Sequence, residues 1–198
     1  MLYEEAEKFL SKQSEEWSTL IQEIGPCRLK VSDEILPHQS IIKSIFFQQL
    51  HPKAASTIYQ RFLDLFNDVF PTEQDIIKKK DLLSSTGLSN QKAQTILFIA
   101  DGYLKQFIPN EKKIRLLNDQ EIIEQYTQIK GVGIWTVQMM LIFNQQHLDI
   151  MPSTDYAIRK KYSQLFGYPS LLTANQITSH TRKLSPYRSI AAWYVWNS

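Results

Sequence analysis

Apolar residues recur along this chain at spacings of three and four, the pattern of helices that bury one face. Ala6, Phe9, Leu10, Trp17, Leu20, Ile21 and Ile24 predict one long or broken N-terminal helix, stopped by Gly25-Pro26. A second helix is predicted to begin near Pro37, a tolerated first-turn position, and to carry Ile41, Ile42, Ile45 and Phe46. Pro52 interrupts, and Ala55, Ile58, Phe62 and Leu65 form the next stripe. Thr72 is a candidate cap for 73–84 and Ser89 for 90–107. Asn118 with Glu121, and Thr173 with Gln176, have the spacing of capping boxes. A last helix is predicted over 188–196. Only 28–31 reads as extended, too short to found a sheet, so the pattern predicts an all-α fold.

The connections between these segments are short and no repeat or long linker occurs, which suits a compact helical protein. We expect a single unit over 1–198 with two lobes and a cleft between them. Lobe one is expected over roughly 35–125, and lobe two over roughly 1–34 plus 126–198.

Composition narrows the class. Hydrophobic residues make up 43% and charged residues 21% of the 198, which is ordinary for a soluble globular chain. No apolar run approaches ~18 residues, so no membrane span is expected. The first residues lack the basic and apolar parts of a signal peptide. A single cysteine, Cys27, excludes an internal disulfide and an iron–sulfur cluster held by cysteines of this chain. The net charge of +2 is divided unevenly: residues 1–25 hold six Glu and two Lys, a net of −4, leaving +6 on the rest. Basic clusters at 78–80, 112–113, 159–161 and 182–183 can follow a phosphate backbone, although solvated helix faces explain any one of them equally well.

The candidate chemistry lies in two segments. Lys130-Gly131-Val132-Gly133 separates a helix predicted over about 119–128 from one over about 134–144. Glycine lets the backbone approach a ligand with no Cβ in the way, and the following helix start offers unpaired N–H groups, so phosphate is the natural occupant, with Lys130 as an adjacent charge. The spacing is neither a dinucleotide fingerprint nor a nucleotide-triphosphate loop. A turn that needs glycine for packing alone explains it as well. The second segment is Pro152-Ser153-Thr154-Asp155, in which Ser153 or Thr154 is a candidate cap and the Asp155 carboxylate follows Gly133 by 22 residues. A carboxylate there is stabilised by the helix dipole, an ordinary first-turn role. It is also suited to stabilising the positive sugar ring that forms when a glycosidic bond breaks. Trp135, Met139 and Phe143 share one helix face, a spacing more usual for core than for a pocket. His38, His147 and His180 have no ligand spacing and are expected to be structural or exposed. Arg159 and Lys160 are open between phosphate contact and surface cover.

Five pieces in order carry a resemblance over about residues 20–198. They are 24–29 (Ile-Gly-Pro-Cys-Arg-Leu), 47–55 (Phe-Gln-Gln-Leu-His-Pro-Lys-Ala-Ala), 131–136 (Gly-Val-Gly-Ile-Trp-Thr), Asp155-Tyr156, and 186–196 (Pro-Tyr-Arg-Ser-Ile-Ala-Ala-Trp-Tyr-Val-Trp). Together they resemble the helix-hairpin-helix DNA glycosylases, and within them the 3-methyladenine DNA glycosylase II, or AlkA-like, branch. The resemblance implies a two-lobed all-α helix-hairpin-helix glycosylase fold with the active site in the cleft between lobes. It implies a base-excision repair enzyme, a hydrolase that releases alkylated purines of the 3-methyladenine and 7-methylguanine type from duplex DNA by base flipping. Asp155 is then catalytic, and Trp135 and Trp196 line the base pocket. Gln49 fills the gap left in the duplex, a space that Gln48 also suits, and His51 lies near the minor groove. Lys130, Gly131 and Gly133 hold the DNA backbone. The family's monovalent cation, Na or K, falls on the backbone carbonyls of Thr127, Ile129 and Gly131; no cofactor is required.

Two departures from the family bear on the expectations. Members with added lyase activity carry a lysine where this chain has Trp135, so no Schiff base can form and a monofunctional enzyme is expected. The chain also lacks room for the N-terminal β domain of the longer AlkA-type proteins. Double-stranded DNA is the expected partner, with no membrane and a monomeric state. The expected location is the cytoplasm, at a prokaryotic nucleoid, or the nucleus of a eukaryote. Rival readings are a glycosylase for oxidised or mismatched bases and a non-catalytic helix-hairpin-helix module that binds DNA.

Overall fold

Polar caps set most of the helix starts. The computed structural model describes residues 3–32 and 35–198, and among them every regular element is helical. The N-terminal stripe is two helices, α1 (Glu4–Ser11) and α2 (Glu15–Ile24), because Ser14 turns its side chain to the Trp17 amide and starts a new helix. Then come α3 (Pro37–Phe47) and α4 (Pro52–Asp64), each with proline in its first turn. Thr72 caps α5 (Glu73–Lys78), which gives way to a 3-10 helix (Lys80–Thr86), so the predicted 73–84 helix is split. Ser89 caps α6 (Asn90–Leu104), which stops three residues short of the predicted end because the Phe107 and Ile108 amides fold back onto the Gly102 carbonyl. The short α7 (Glu111–Ile114), capped by Asn110, is a single turn, too brief for a period to be read from sequence. The remaining elements are α8 (Asp119–Thr127), α9 (Ile134–Phe143), α10 (Tyr156–Leu165), α11 (Ala174–Thr181), a 3-10 turn (Arg182–Leu184) and α12 (Arg188–Asn197). Both predicted capping boxes form: Asn118 and Glu121 exchange bonds of 3.0 and 2.8 Å, and Thr173 and Gln176 bonds of 3.3 and 2.9 Å.

The chain divides into two units, 1–31 with 141–198, and 32–140. Residues 126–140, assigned above to the lobe with both termini, fall in the middle unit because the hairpin packs on α6; the boundary drawn at residue 34 lies outside the described residues.

In the middle unit, α6 packs on α3 and α5, and α3 on α4. Phe46, Tyr59, Phe62, Phe66 and Phe70 form an aromatic cluster with ring centroids 4.9–6.3 Å apart. The same unit holds a buried polar pair. His38, fully buried, donates Nε2–H to Glu73 Oε1 at 2.6 Å, and its ring stacks on Tyr103 at 3.6 Å. Burial pushes the Glu73 carboxyl up, but the bonds from His38 and Gln39 outweigh it and hold the group below its usual value.

In the terminal unit, α12 packs on α1, α2 and α10. Trp17 and Tyr162 are buried against Phe166, at 5.3 Å and 4.3 Å. Tyr194, also buried, places its hydroxyl 3.1 Å from Glu7 Oε1 and 3.0 Å from the Gly25 carbonyl, and the same Glu7 oxygen accepts the Cys27 amide at 2.7 Å. Thus α12 is tied to the turn that ends α2.

Candidate active site

The hairpin belongs to the middle unit. Its two glycines do different work. Gly131 has φ +93°, and a Cβ there would lie 2.5 Å from Thr95 Oγ1, so only glycine fits. Gly133 is exposed, has no left-handed backbone, and a Cβ on it would meet nothing within 4 Å. Packing therefore explains Gly131 but leaves Gly133 free for close approach by a ligand to the first amides of α9. Thr95 Oγ1 also donates to the Lys130 carbonyl at 3.1 Å, which fixes the turn on α6, while the Lys130 residue is exposed.

The α3–α4 connection lies in the same unit. Gln49 and His51 are both exposed, and Gln49 has φ +54°. His51 is also the N-cap of α4, its Nδ1 accepting the Lys53 amide at 3.4 Å. Both Gln48 and Gln49 have the amide chemistry to suit a vacated duplex position, and the structure separates them. Gln48 Nε2 donates inward, to the Gly131 carbonyl at 3.2 Å and Thr136 Oγ1 at 3.0 Å. Its own carbonyl accepts Lys92 Nζ at 2.7 Å. Burial lowers the Lys92 pKa. Gln48, Lys92, Thr95 and Thr136 had no local signal as a group, because three separate segments, the end of α3, α6 and the start of α9, bring them together.

Trp135, Met139 and Phe143 are each only half-buried, whereas Val137, Met140, Leu141 and Ile142 between them are buried. The stripe that spacing alone favours as core is the least covered face of α9.

The carboxylate belongs to the terminal unit. Asp155 is itself the N-cap of α10, correcting the expectation that Ser153 or Thr154 caps it: Asp155 Oδ1 accepts the Ile158 amide at 2.9 Å. The residue is half-buried, and its neighbour Tyr156 is 65% exposed. The loop that delivers it is pinned from the start of α12. Ser189, fully buried, donates Oγ–H to the His147 carbonyl at 2.6 Å, accepts the Ile150 amide at 2.9 Å, and gives its own amide to Leu148 at 2.8 Å. Arg188 grips Asp149 with two bonds, 2.7 and 2.9 Å, and Ser185 adds a third at 2.8 Å. Burial raises the Asp149 carboxyl, but these donors hold it below its usual value.

Trp196 is half-buried on α12, with its ring 5.6 Å from Phe143. Lys161, two turns into α10, donates to the Trp196 and Ser198 carbonyls at 2.7 and 2.8 Å, so the helix that begins at Asp155 also holds the end of the helix that carries Trp196. Of the open basic residues, Arg159 commits its Nε to the Leu172 carbonyl at 2.7 Å, a structural role, while Lys160 is exposed. His38 is structural, as expected, and no group of His, Cys, Asp and Glu among the described residues is placed to hold a metal ion. No helix among them is long and apolar enough to cross a membrane.

The chain is 36% identical to the alkylbase DNA glycosidase-like protein mag2 of Schizosaccharomyces pombe, over 98% of this chain and 92% of that protein. It is also 36% identical to DNA-3-methyladenine glycosylase 1 of the same organism, over 98% of this chain and 86% of the relative. Among solved structures it is similar to the Schizosaccharomyces pombe 3-methyladenine DNA glycosylase Mag1 in complex with abasic DNA, with a TM-score of 0.87 and 35% identity, covering 98% of this chain and 95% of that one. The HhH-GPD family model matches residues 42–186, a span that contains the Gln49 turn, the hairpin and Asp155. The chain belongs to the HhH-GPD superfamily of base excision DNA repair proteins.

Proposed function

We propose that this protein is a monofunctional DNA glycosylase that hydrolyses the N-glycosidic bond of alkylated purines in duplex DNA. The observation that carries the reading is near full-length similarity, at 36% identity, to a relative named for 3-methyladenine excision. The fixed carboxylate of Asp155 and the open backbone at Gly133 are the groups that such a reaction uses.

An alkylated purine carries positive charge, so it leaves with little acid assistance. As the C1′–N bond breaks, its electron pair neutralises the base and charge moves to the sugar. The Asp155 carboxylate stabilises that charge and orients water, whose oxygen bonds to C1′ and whose proton is lost, leaving an abasic site. The Gly131–Gly133 hairpin binds backbone phosphate through α9 amides, with Lys130 adding a point charge. Trp135 and Trp196 contribute aromatic faces, and stacking on a cationic base adds attraction of about 0.5–2 kcal/mol. Gln49, exposed, fills the space the base has left, and His51, exposed on the same turn, lies near the minor groove. Trp135 supplies no amine, so no lyase step follows. Such an enzyme works as a monomer wherever the cell keeps its DNA, at a nucleoid or in a nucleus.

The hairpin also suits a monovalent cation. Its donors, the carbonyls of Thr127, Ile129 and Gly131, are neutral oxygens, the donor type that Na or K takes. Ile129 accepts the Val132 amide at 3.0 Å and Gly131 accepts Gln48, each oxygen keeping a second lone pair. When bound, the ion would add positive charge beside the phosphate-binding amides.

Base release from methylated duplex DNA, measured for the wild type beside Asp155→Asn, tests the reading. Release by the wild type and none by the variant is expected; excision at the wild-type rate by Asp155→Asn removes the role given to Asp155. A second reading, a hairpin module that binds DNA without excision, draws on the relative named only as glycosidase-like. It predicts salt-dependent binding and no base release by either protein.

A further inference from the structure

Within the middle unit, helix α6 holds two exposed elements at once. Thr95 supports the hairpin: its hydroxyl bonds the Lys130 carbonyl at 3.1 Å and its side chain fills the space where Gly131 lacks a Cβ. One turn earlier, Lys92 donates to the Phe46 and Gln48 carbonyls at 3.3 and 2.7 Å, satisfying the orphan C-terminal carbonyls of α3 where the chain enters the Gln49 turn. Gln48 closes the loop. Its amide group has two hydrogens and two acceptors, the Gly131 carbonyl and Thr136 Oγ1, at opposite ends of the hairpin. Gln48, Lys92, Thr95 and Gly131, with Gln49, line a small polar cleft of about 170 Å³. Gln48 and Gln49 are adjacent in sequence, so a side chain anchored at Gln48 sets where the left-handed Gln49 presents its own.

We propose that Gln48 is a positioning residue, a latch seated by Lys92, that fixes the Gln49–His51 turn to the backbone-binding hairpin so that capture of the phosphate places the turn for opening the duplex. The proposal rests on the glycosylase reading above. Without the latch the hairpin still binds backbone and Asp155 still hydrolyses a base that reaches it. What is lost is the work of displacing a paired base, so the defect scales with the cost of opening the pair, which is smallest for an unpaired base.

The test uses Gln48→Met and Lys92→Met, unbranched replacements that remove the donors and keep the length. Single-turnover release of 7-methylguanine is measured from two duplexes, one with cytosine opposite the lesion and one with an abasic analogue there. On the paired duplex each variant should slow release about tenfold, the worth of one lost hydrogen bond. On the unpaired duplex the loss should shrink to within about threefold. Equal losses on both duplexes, or none on either, overturn the latch, the first because it marks general damage. A parallel arm follows 2-aminopurine fluorescence at the target position, which reports unstacking without excision. The wild type should raise it on binding, and Gln48→Met should not at saturating protein; a rise equal to wild type overturns the proposal. Should the wild type release no base from either duplex, the glycosylase reading fails, and the fluorescence arm alone decides the latch.

Discussion

The side chain of Asp155 accepts the amide of Ile158 at 2.9 Å, so the carboxylate assigned to the sugar also starts helix α10. The cap is a structural duty and the proposed role a chemical one, and two substitutions separate them. Asparagine caps a helix about as well as aspartate, whereas alanine does not. Asp155→Asn should abolish base release with a melting temperature near the wild type. Asp155→Ala should abolish release and also cost about 1 kcal/mol of stability. Thermal melting beside single-turnover release checks both; a large loss of stability in Asp155→Asn would contradict the capping account.

The two hairpin glycines should respond oppositely to alanine. Gly131→Ala places a Cβ 2.5 Å from Thr95 Oγ1 on a backbone with φ +93°. The left-handed conformation alone costs about 1–2 kcal/mol, and the clash adds to it. Gly133→Ala has room for its methyl and should melt like the wild type, yet stand between α9 and a phosphate. Roughly tenfold weaker DNA binding, equivalent to about 1.4 kcal/mol, is expected for it in a titration at fixed salt. Unchanged affinity in Gly133→Ala would remove the close-approach role.

Acid should weaken the middle unit through Glu73. Its carboxyl pKa in the folded protein lies below the ordinary value of 4.5. A depressed folded pKa contributes stability that is fully present above the unfolded value and lost as pH falls through the folded one. Stability should therefore decline below about pH 4.5. Glu73→Gln, which leaves His38 facing a neutral amide, should be destabilised by roughly 1–3 kcal/mol at neutral pH and show a shallower acid decline. Urea titrations between pH 3 and 7 read both effects; an unaltered acid slope in Glu73→Gln would show that other carboxyls carry it.

Replacing Na and K by tetramethylammonium at constant ionic strength should lower DNA affinity. The organic cation screens phosphate comparably but is too large for three backbone carbonyls of one turn. Identical binding isotherms in the two salts would exclude a cation from the hairpin.

Elements with local causes were legible from sequence. Ser89, Asn118 with Glu121, and Thr173 with Gln176 start helices where expected because a cap satisfies amides two or three residues away, and Pro37 because its fixed φ and missing N–H suit a first turn. Ends were less legible: α6 stops at Leu104 because Phe107 and Ile108 pack back over Gly102, a contact that periodicity does not encode. The site divides in the same way. A glycine turn before a helix and an acid after Pro152 are visible along the chain, but Asp155 as its own cap, in place of Ser153 or Thr154, required the backbone path.

By itself the sequence determined an all-helical protein and its main helix starts, since capping and amphipathic period act over a few residues. Only tertiary structure decided that Gln48 turns inward while Gln49 stays in solvent, and that a Cβ on Gly131 would strike Thr95 while one on Gly133 would meet nothing. Those distinctions come from contacts between residues 36 to 88 positions apart, which arise when separate helices pack and leave no period or motif in the chain.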